Sequence, residues 1–221
     1  MALFSRRPSM GASIYSVADP STLDLPVSGS TLRANTHRVV YGHETFDLAD
    51  VTEWTMDMTG RTRQMRMSGF DAEFRLKGPA TELVVPFDNS KSVEEGGAGS
   101  LRDAWTLYAT LRDFGYLNVA PRIVPELAAR VRAGGAVAWP GLSVTSEGIE
   151  KDGRNGPEML AWGDYVDCWQ PKKHITLPEL SIRYRRSSGP KRTWIMVPAE
   201  LPNAYVLPGL LAELSAAAPL S

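Results

Sequence analysis

The chain is short of the residues from which most catalytic and metal centres are built. Its 221 residues include one cysteine, Cys168, and three histidines, His37, His43 and His174. A single cysteine excludes an intramolecular disulfide and a Cys/His zinc pattern, and it predicts a reducing compartment. The histidines show no i, i+4 spacing with a third ligand close by. There is no Gly-x-Ser-x-Gly nucleophile turn, no phosphate loop closed by Lys-Ser/Thr and no dinucleotide glycine fingerprint. The longest apolar-biased stretch, Leu207 to Leu220, is broken by Pro208, Glu213 and Pro219, so it does not read as a bilayer span. The opening Met1-Ala-Leu-Phe-Ser-Arg-Arg-Pro8 lacks the hydrophobic run of a signal peptide. These absences predict a cytoplasmic protein that is not an enzyme and uses neither metal nor cofactor. A net charge of −1 and a pI near 6.3 supply no global attraction to polyanions. No nucleic-acid partner is expected, and an anionic membrane would need a local basic patch.

What the chain does contain is a weak self-similarity between its halves. Phe46-Asp-Leu-Ala-Asp-Val-Thr-Glu53 aligns with Leu160-Ala-Trp-Gly-Asp-Tyr-Val-Asp167, placing Asp50 on Asp164 and Glu53 on Asp167. Upstream, Leu32 and Val39 fall on Leu142 and Ile149; downstream, Ala104-Trp-Thr-Leu107 falls on Ala204-Tyr-Val-Leu207. Matches in the same order with different loop lengths are the pattern of a diverged duplication.

Hydrophobic periodicity predicts the same elements in each half. Residues 1–28, rich in Ser, Pro and Arg, read as a flexible segment with Ile14, Tyr15 and Val17 as a docking point. A first domain over 29–118 holds several short strands, among them Leu32 to Tyr41 as one strand. It closes with a helix opened by Ser100 and carrying Leu101, Ala104, Trp105, Tyr108 and Leu111 on one face up to Gly115. Residues 119–135 read as a connector helix with Pro121 and Pro125 in its first turn, an Ile123/Leu127/Val131 stripe, and Gly134-Gly135 as its stop. A second domain over 136–216 begins with a strand from Val137 to Ser146. It includes a hairpin whose arms, Ile182 to Arg186 and Arg192 to Val197, flank Ser187-Ser-Gly-Pro190, and it ends in a helix from about Val206 with Leu207, Leu210, Leu211 and Leu214 on one face. Residues 217–221 are a tail. The fold class is therefore α+β, mainly β, with two bent antiparallel sheets each closed by a C-terminal amphipathic helix.

This order resembles the pleckstrin-homology (PH) superfold. More closely, the second half is similar to uncharacterised bacterial tandem PH-like proteins in Gly141-Leu-Ser-Val-Thr-Ser-Glu-Gly-Ile149, Leu160-Ala-Trp-Gly-Asp164, Val197-Pro198 and Pro202-Asn-Ala-Tyr-Val-Leu207. The first half keeps Leu48-Ala-Asp50 and the Trp105 helix. The resemblance implies a non-catalytic binding or scaffolding module with a protein or peptide partner.

Among individual residues, Asp50 and Asp164 read as caps of backbone amides at turns, since two isolated carboxylates in separate domains make no acid/base pair. Gly96-Gly-Ala-Gly99 reads as a loop, and Cys168 beside Trp169 as a small buried hydrophobe. The remaining signal is cationic: Arg183, Arg185, Arg186, Lys191 and Arg192 lie on one hairpin without an acid, preceded by Lys172 and Lys173. Two readings stay open. The charges are either a solvated edge that deters strand-to-strand aggregation, or a surface for a partner, a phosphate-bearing ligand or an anionic membrane.

Overall fold

The repeated sequence signals become repeated topology. The computed structural model describes residues 13, 15–63, 66–89, 100–169, 179–185 and 189–217. In the first half, β1 (Leu23–Val27), β2 (Ser30–Ala34), β3 (Arg38–Tyr41) and β4 (Glu44–Asp47) form a four-stranded antiparallel meander. After a 3-10 turn at Leu48–Asp50, β5 (Glu53–Arg63), β6 (Arg66–Lys77) and β7 (Glu82–Asp88) form a three-stranded meander, and helix α1 (Leu101–Phe114) follows. The second half repeats the order. Strands β8 (Val137–Trp139), β9 (Leu142–Val144), β10 (Gly148–Gly153) and β11 (Gly156–Ala161) make a four-stranded meander. A three-stranded one follows, of β12 (Tyr165–Trp169), β13 (Glu179–Tyr184) and β14 (Arg192–Pro198), and then helix α3 (Leu207–Ala217). Three of the residue pairs aligned in sequence occupy corresponding strands: Leu32 in β2 and Leu142 in β9, Val39 in β3 and Ile149 in β10, Phe46 in β4 and Leu160 in β11. All six are buried.

Local chemistry explains where the strands are cut. Leu32 to Tyr41 is two strands, not one, because the Asn35 carboxamide oxygen accepts from the His37 and Arg38 amides at 2.8 and 3.1 Å and turns the chain. Val137 to Ser146 is likewise two strands, reversed at Pro140-Gly141, where Gly141 adopts φ +74°. The expected flexibility of residues 1–28 does not hold for their C-terminal part. Leu23, Leu25 and Val27 are buried in β1, and Tyr15 is fully enclosed with its carbonyl accepting from the Thr110 hydroxyl at 2.7 Å. The Leu-Asp-Leu-Pro-Val alternation is short and contains Pro26, which an edge strand tolerates.

Helix α1 opens as its sequence predicts. The Ser100 hydroxyl accepts from the Asp103 amide at 3.2 Å and donates to the Asp103 carboxylate at 2.7 Å. Hydrogen bonds from Ser13 first, and from Ser100, hold the Asp103 carboxyl below its ordinary range. The helix does not stop at Gly115. It continues through a π-helical turn, Gly115–Val119, into α2 (Ala120–Arg132), the expected connector, and Gly115 itself keeps an ordinary helical φ of −60°. A Cβ there would strike the Trp54 ring, so this glycine serves close approach and not termination. Helix α2 does end where expected: Gly134 turns at φ +85°, and the Gly135 amide bonds back to the Arg130 carbonyl at 3.0 Å. It buries Ile123, Leu127 and Val131 and lies against α3, where Val124 meets Gly209 and Arg132 pairs with Glu213 at 3.0 Å. Helix α3 starts after a 3-10 turn, Ala204–Val206, so Pro208 sits harmlessly in its first turn. The buried apolar residues of both halves form one continuous core.

Candidate binding surface on the second half

The cationic hairpin is β13 and β14, paired antiparallel from Glu179↔Pro198 to Tyr184↔Arg192. Of the seven basic residues singled out from the sequence, Lys172, Lys173 and Arg186 lie outside the described residues. Of the other four, Arg183 and Lys191 converge on an acid that the hairpin sequence does not contain, Arg185 shares a groove with Lys191, and Arg192 follows Lys191 on β14 opposite Tyr184. Asp167 on the neighbouring strand β12 faces Arg183, and the two form a bidentate pair at 2.5 and 2.6 Å. Lys191 approaches the same carboxylate at 3.5 Å. The Arg183 guanidinium first, with help from Lys191, holds the Asp167 carboxyl below the usual carboxylate range. Arg185 and Arg192 are exposed. The backbone amide of Arg185 donates to the Asp164 carbonyl at 2.9 Å, which ties the hairpin to the turn before β12. Around this turn lies a shallow groove of about 820 Å³ whose lining includes Asp164, Tyr165, Arg185 and Lys191.

Two bulges re-aim the side chains of this sheet. Register shifts between Tyr165 and Asp167 on β12, and again beyond Ile182↔Ile195 on β14, where Trp194 is the extra residue. Thr193 and Met196 consequently share the outer face with Ser181 and Arg183, while Ile195 and Val197 turn toward the core. Lys151 of β10 covers Trp194, its Nζ lying 4.8 Å from the ring centroid, donating to the Trp194 carbonyl at 3.1 Å and pairing with Glu158 at 3.2 Å. Met196 remains 47% exposed on a strand that is the edge of its sheet.

Asp50 and Asp164 are not the amide caps expected of them. In the first half that role belongs to Asp47, whose Oδ1 accepts from the Ala49 amide at 2.8 Å. Asp164 contributes through its backbone, bonding to Ala161 and Arg185. Cys168 is half-buried, paired across from Ile182; desolvation, with the Asp167 charge a lesser cause, pushes its thiol up to about 12.

Sequence reasoning missed the seam between the halves altogether. Asn203, at φ +58°, places its Oδ1 2.8 Å from the Trp54 amide and its Nδ2 3.2 Å from the Thr52 carbonyl; its own amide donates to the Trp54 carbonyl at 2.8 Å. The second half thus occupies the start of edge strand β5 in the first. Beside it Tyr205 stacks at 5.5 Å on Trp54, meets Tyr116 edge-on at 5.7 Å, and shares a 2.5 Å hydroxyl contact with Tyr108. Burial first, then the neighbouring Tyr205, drives the Tyr108 and Tyr116 hydroxyls well above their ordinary range, so this aromatic group stays neutral. The sequence signals were the glycine at 115 and the Pro202-Asn203 pair, neither of which names its contact.

Among the described residues no group of three or more His, Cys, Asp or Glu side chains could hold a metal ion, and no helix is long and apolar enough to cross a membrane. Comparison with protein-family models and with curated proteins finds no match to this chain.

Proposed function

We propose that the chain is a tandem PH-like module that acts inside the cell by holding a protein or peptide partner, without chemistry of its own. The observation that carries this reading is the recurrence, in each half, of a four-stranded meander, a three-stranded meander and a closing helix. This repeated order supports the resemblance to the PH superfold drawn from the sequence. Open antiparallel sheets of this kind offer edge strands whose unpaired amides and carbonyls accept a further strand. The test is affinity capture with the tagged chain, competed by excess untagged chain, followed by titration calorimetry between the purified protein and each competed species. A stoichiometric complex supports the proposal; the absence of any competed partner that binds in isolation refutes it.

A second reading, peripheral attachment to anionic lipid, is favoured by the exposed Arg185 and Arg192 beside the groove that Lys191 also lines. It requires salt-sensitive sedimentation with phosphatidylserine vesicles that Arg185→Glu/Arg192→Glu abolishes; equal sedimentation by that variant removes it.

A further inference from the structure

The sheet edges of this fold are not equally available. Edge strands β1, β7 and β11 carry internal prolines, Pro26, Pro86 and Pro157, which cannot donate to an added strand. Strand β7 is further occupied by the Ser28 hydroxyl, which donates to the Pro86 carbonyl at 2.5 Å. The start of β5 is taken by Asn203. Strands β4 and β8 have only four and three residues. Strand β14 has seven residues, and its proline is the last of them.

The surface along β14 is graded. Arg192 opens the strand, with the exposed Arg185 and Lys191 beside it, so its first end is cationic even after Asp167 is counted against Arg183 and Lys191. Met196 stands exposed toward the other end, and Glu179 and Glu200 flank the exit at Pro198. Because Trp194 is a bulged residue, Arg192 pairs with Tyr184 and Met196 with Ser181, so the two lie three ladder positions, about 10 Å, apart along the sheet edge. Lys151 shields the Trp194 carbonyl, a contact that a flexible ammonium can yield to an incoming amide.

The geometry points to β14 as the docking edge for an extended peptide that is acidic at the Arg192 end and places an apolar side chain on Met196, added to the β12-β13-β14 sheet as a fourth strand. This inference rests on the peptide-partner reading above and specifies its site and chemistry. Main-chain hydrogen bonds would supply affinity. The Arg185/Lys191/Arg192 cluster would choose the charge and the direction of the peptide, and Met196, a pliable thioether, its apolar residue.

The experiment pans a library of random twelve-residue peptides against the full chain and measures the enriched sequences by fluorescence anisotropy. Peptides should be enriched that carry two or more acidic residues at one end and an apolar residue about three positions away. Arg185→Glu/Arg192→Glu should weaken their binding at least tenfold, and Met196→Glu should do so separately. Arg33→Glu, an exposed charge change in the first half, should leave it within twofold, and thermal melts should show all variants folded. Hydrogen exchange should slow in β14 when peptide is bound. Enrichment of neutral or basic peptides, no enrichment, or equal binding by the β14 variants would overturn the inference. Phosphatidylserine vesicles that bind the wild type while no peptide does would overturn it in favour of lipid. If a competed partner from the capture experiment binds wild type and β14 variants alike, the binding-module reading stands and only this site falls.

Discussion

Replacing Gly115 by alanine sets two opposing effects against each other, and the structure decides between them. The residue lies in a helical segment with φ −60°, where alanine is favoured over glycine by about 1 kcal/mol. Against this, the new methyl would collide with the Trp54 ring at Cζ2, Cε2 and Cη2. Trp54 has no room to retreat: it is 0% exposed, with Tyr116 edge-on at 5.7 Å and Tyr205 on its face at 5.5 Å. Overpacking a filled site costs roughly 1–3 kcal/mol. Displacing the indole from Tyr205 forfeits a further 0.5–1.5 kcal/mol or about that much. The net expectation for Gly115→Ala is a loss of about 2 kcal/mol, or a fall of some 4–8 °C in Tm for a chain of this size. Urea denaturation followed by far-ultraviolet circular dichroism measures it. The attribution is checked by combining the change with Trp54→Phe, which removes the obstructing ring and also an indole N–H that has no partner among the described residues. In that background Gly115→Ala should cost less than half as much. If Gly115→Ala is neutral or stabilising, or if the two changes simply add, the close approach is not the reason for glycine here.

Three further outcomes follow from the seam and the sheet. Asn203→Ala removes two side-chain bonds, strands the Trp54 amide and puts a Cβ-bearing aliphatic residue at φ +58°; a loss of about 2–3 kcal/mol in urea unfolding is expected, with Asn203→Gly recovering the conformational share, about 1 kcal/mol. The Asp167 carboxyl is depressed in the fold by Arg183, so its contribution is present above the ordinary carboxylate range and is lost as pH falls through the lower folded value. The urea midpoint of Asp167→Asn should therefore lie below wild type at pH 7 and converge with it near pH 2. Cys168 behaves in the opposite sense: its thiol is raised from 9.0 to about 12, so stability holds below pH 9 and declines between those values as the unfolded thiol ionises first. The decline is about 1.4 kcal/mol per pH unit for one such group and should be absent in Cys168→Ala. A thiol reagent should label native Cys168 at pH 8 more slowly than urea-unfolded chain, and equal rates would contradict the raised thiol.

Some helix ends were legible because their chemistry is local, whereas the stop expected at Gly115 and the first-turn place expected for Pro125 fail, since the chain runs helical from α1 into α2 and Pro125 lies inside α2. Ser100 and Asp103 lie within one turn of each other, Gly134 follows the last apolar position of α2, and Pro208 can only fit a first turn, so each boundary is written where it acts. Strand cuts were half legible. Gly141 and Asn35 are turn residues, yet each sits inside an alternating run that looks continuous until a carboxamide or a positive φ reverses it. The seam was illegible for a physical reason: Asn203 and Trp54 are 149 residues apart, and no periodicity links a strand amide to an asparagine that distant. The cationic hairpin shows the same limit. Reading 183–192 alone finds no acid, while pairing with β12 supplies Asp167 and cancels much of the charge at Arg183.

The two halves share a topology but present different edges, and the seam is what separates their roles. The Asn203 turn that precedes α3 does not return to its own sheet; it closes β5 of the first half. The first half therefore has the start of its leading edge, β5, taken by Asn203 and its trailing edge, β7, guarded by Pro86 and Ser28. The second half presents its edges differently. Its β12 packs under α3 and is joined to β13 by the Asp167–Arg183 pair, which leaves β14 with its cationic start and exposed Met196. Duplication would then do more than double a binding site: it would use one copy as the support that fixes the orientation of the other. Loosening the seam with Asn203→Gly should weaken peptide binding at β14 far less than Arg185→Glu/Arg192→Glu does, because the support acts on orientation and the edge makes the contact. A seam variant that abolished peptide binding while remaining folded would show instead that the recognition element spans both halves.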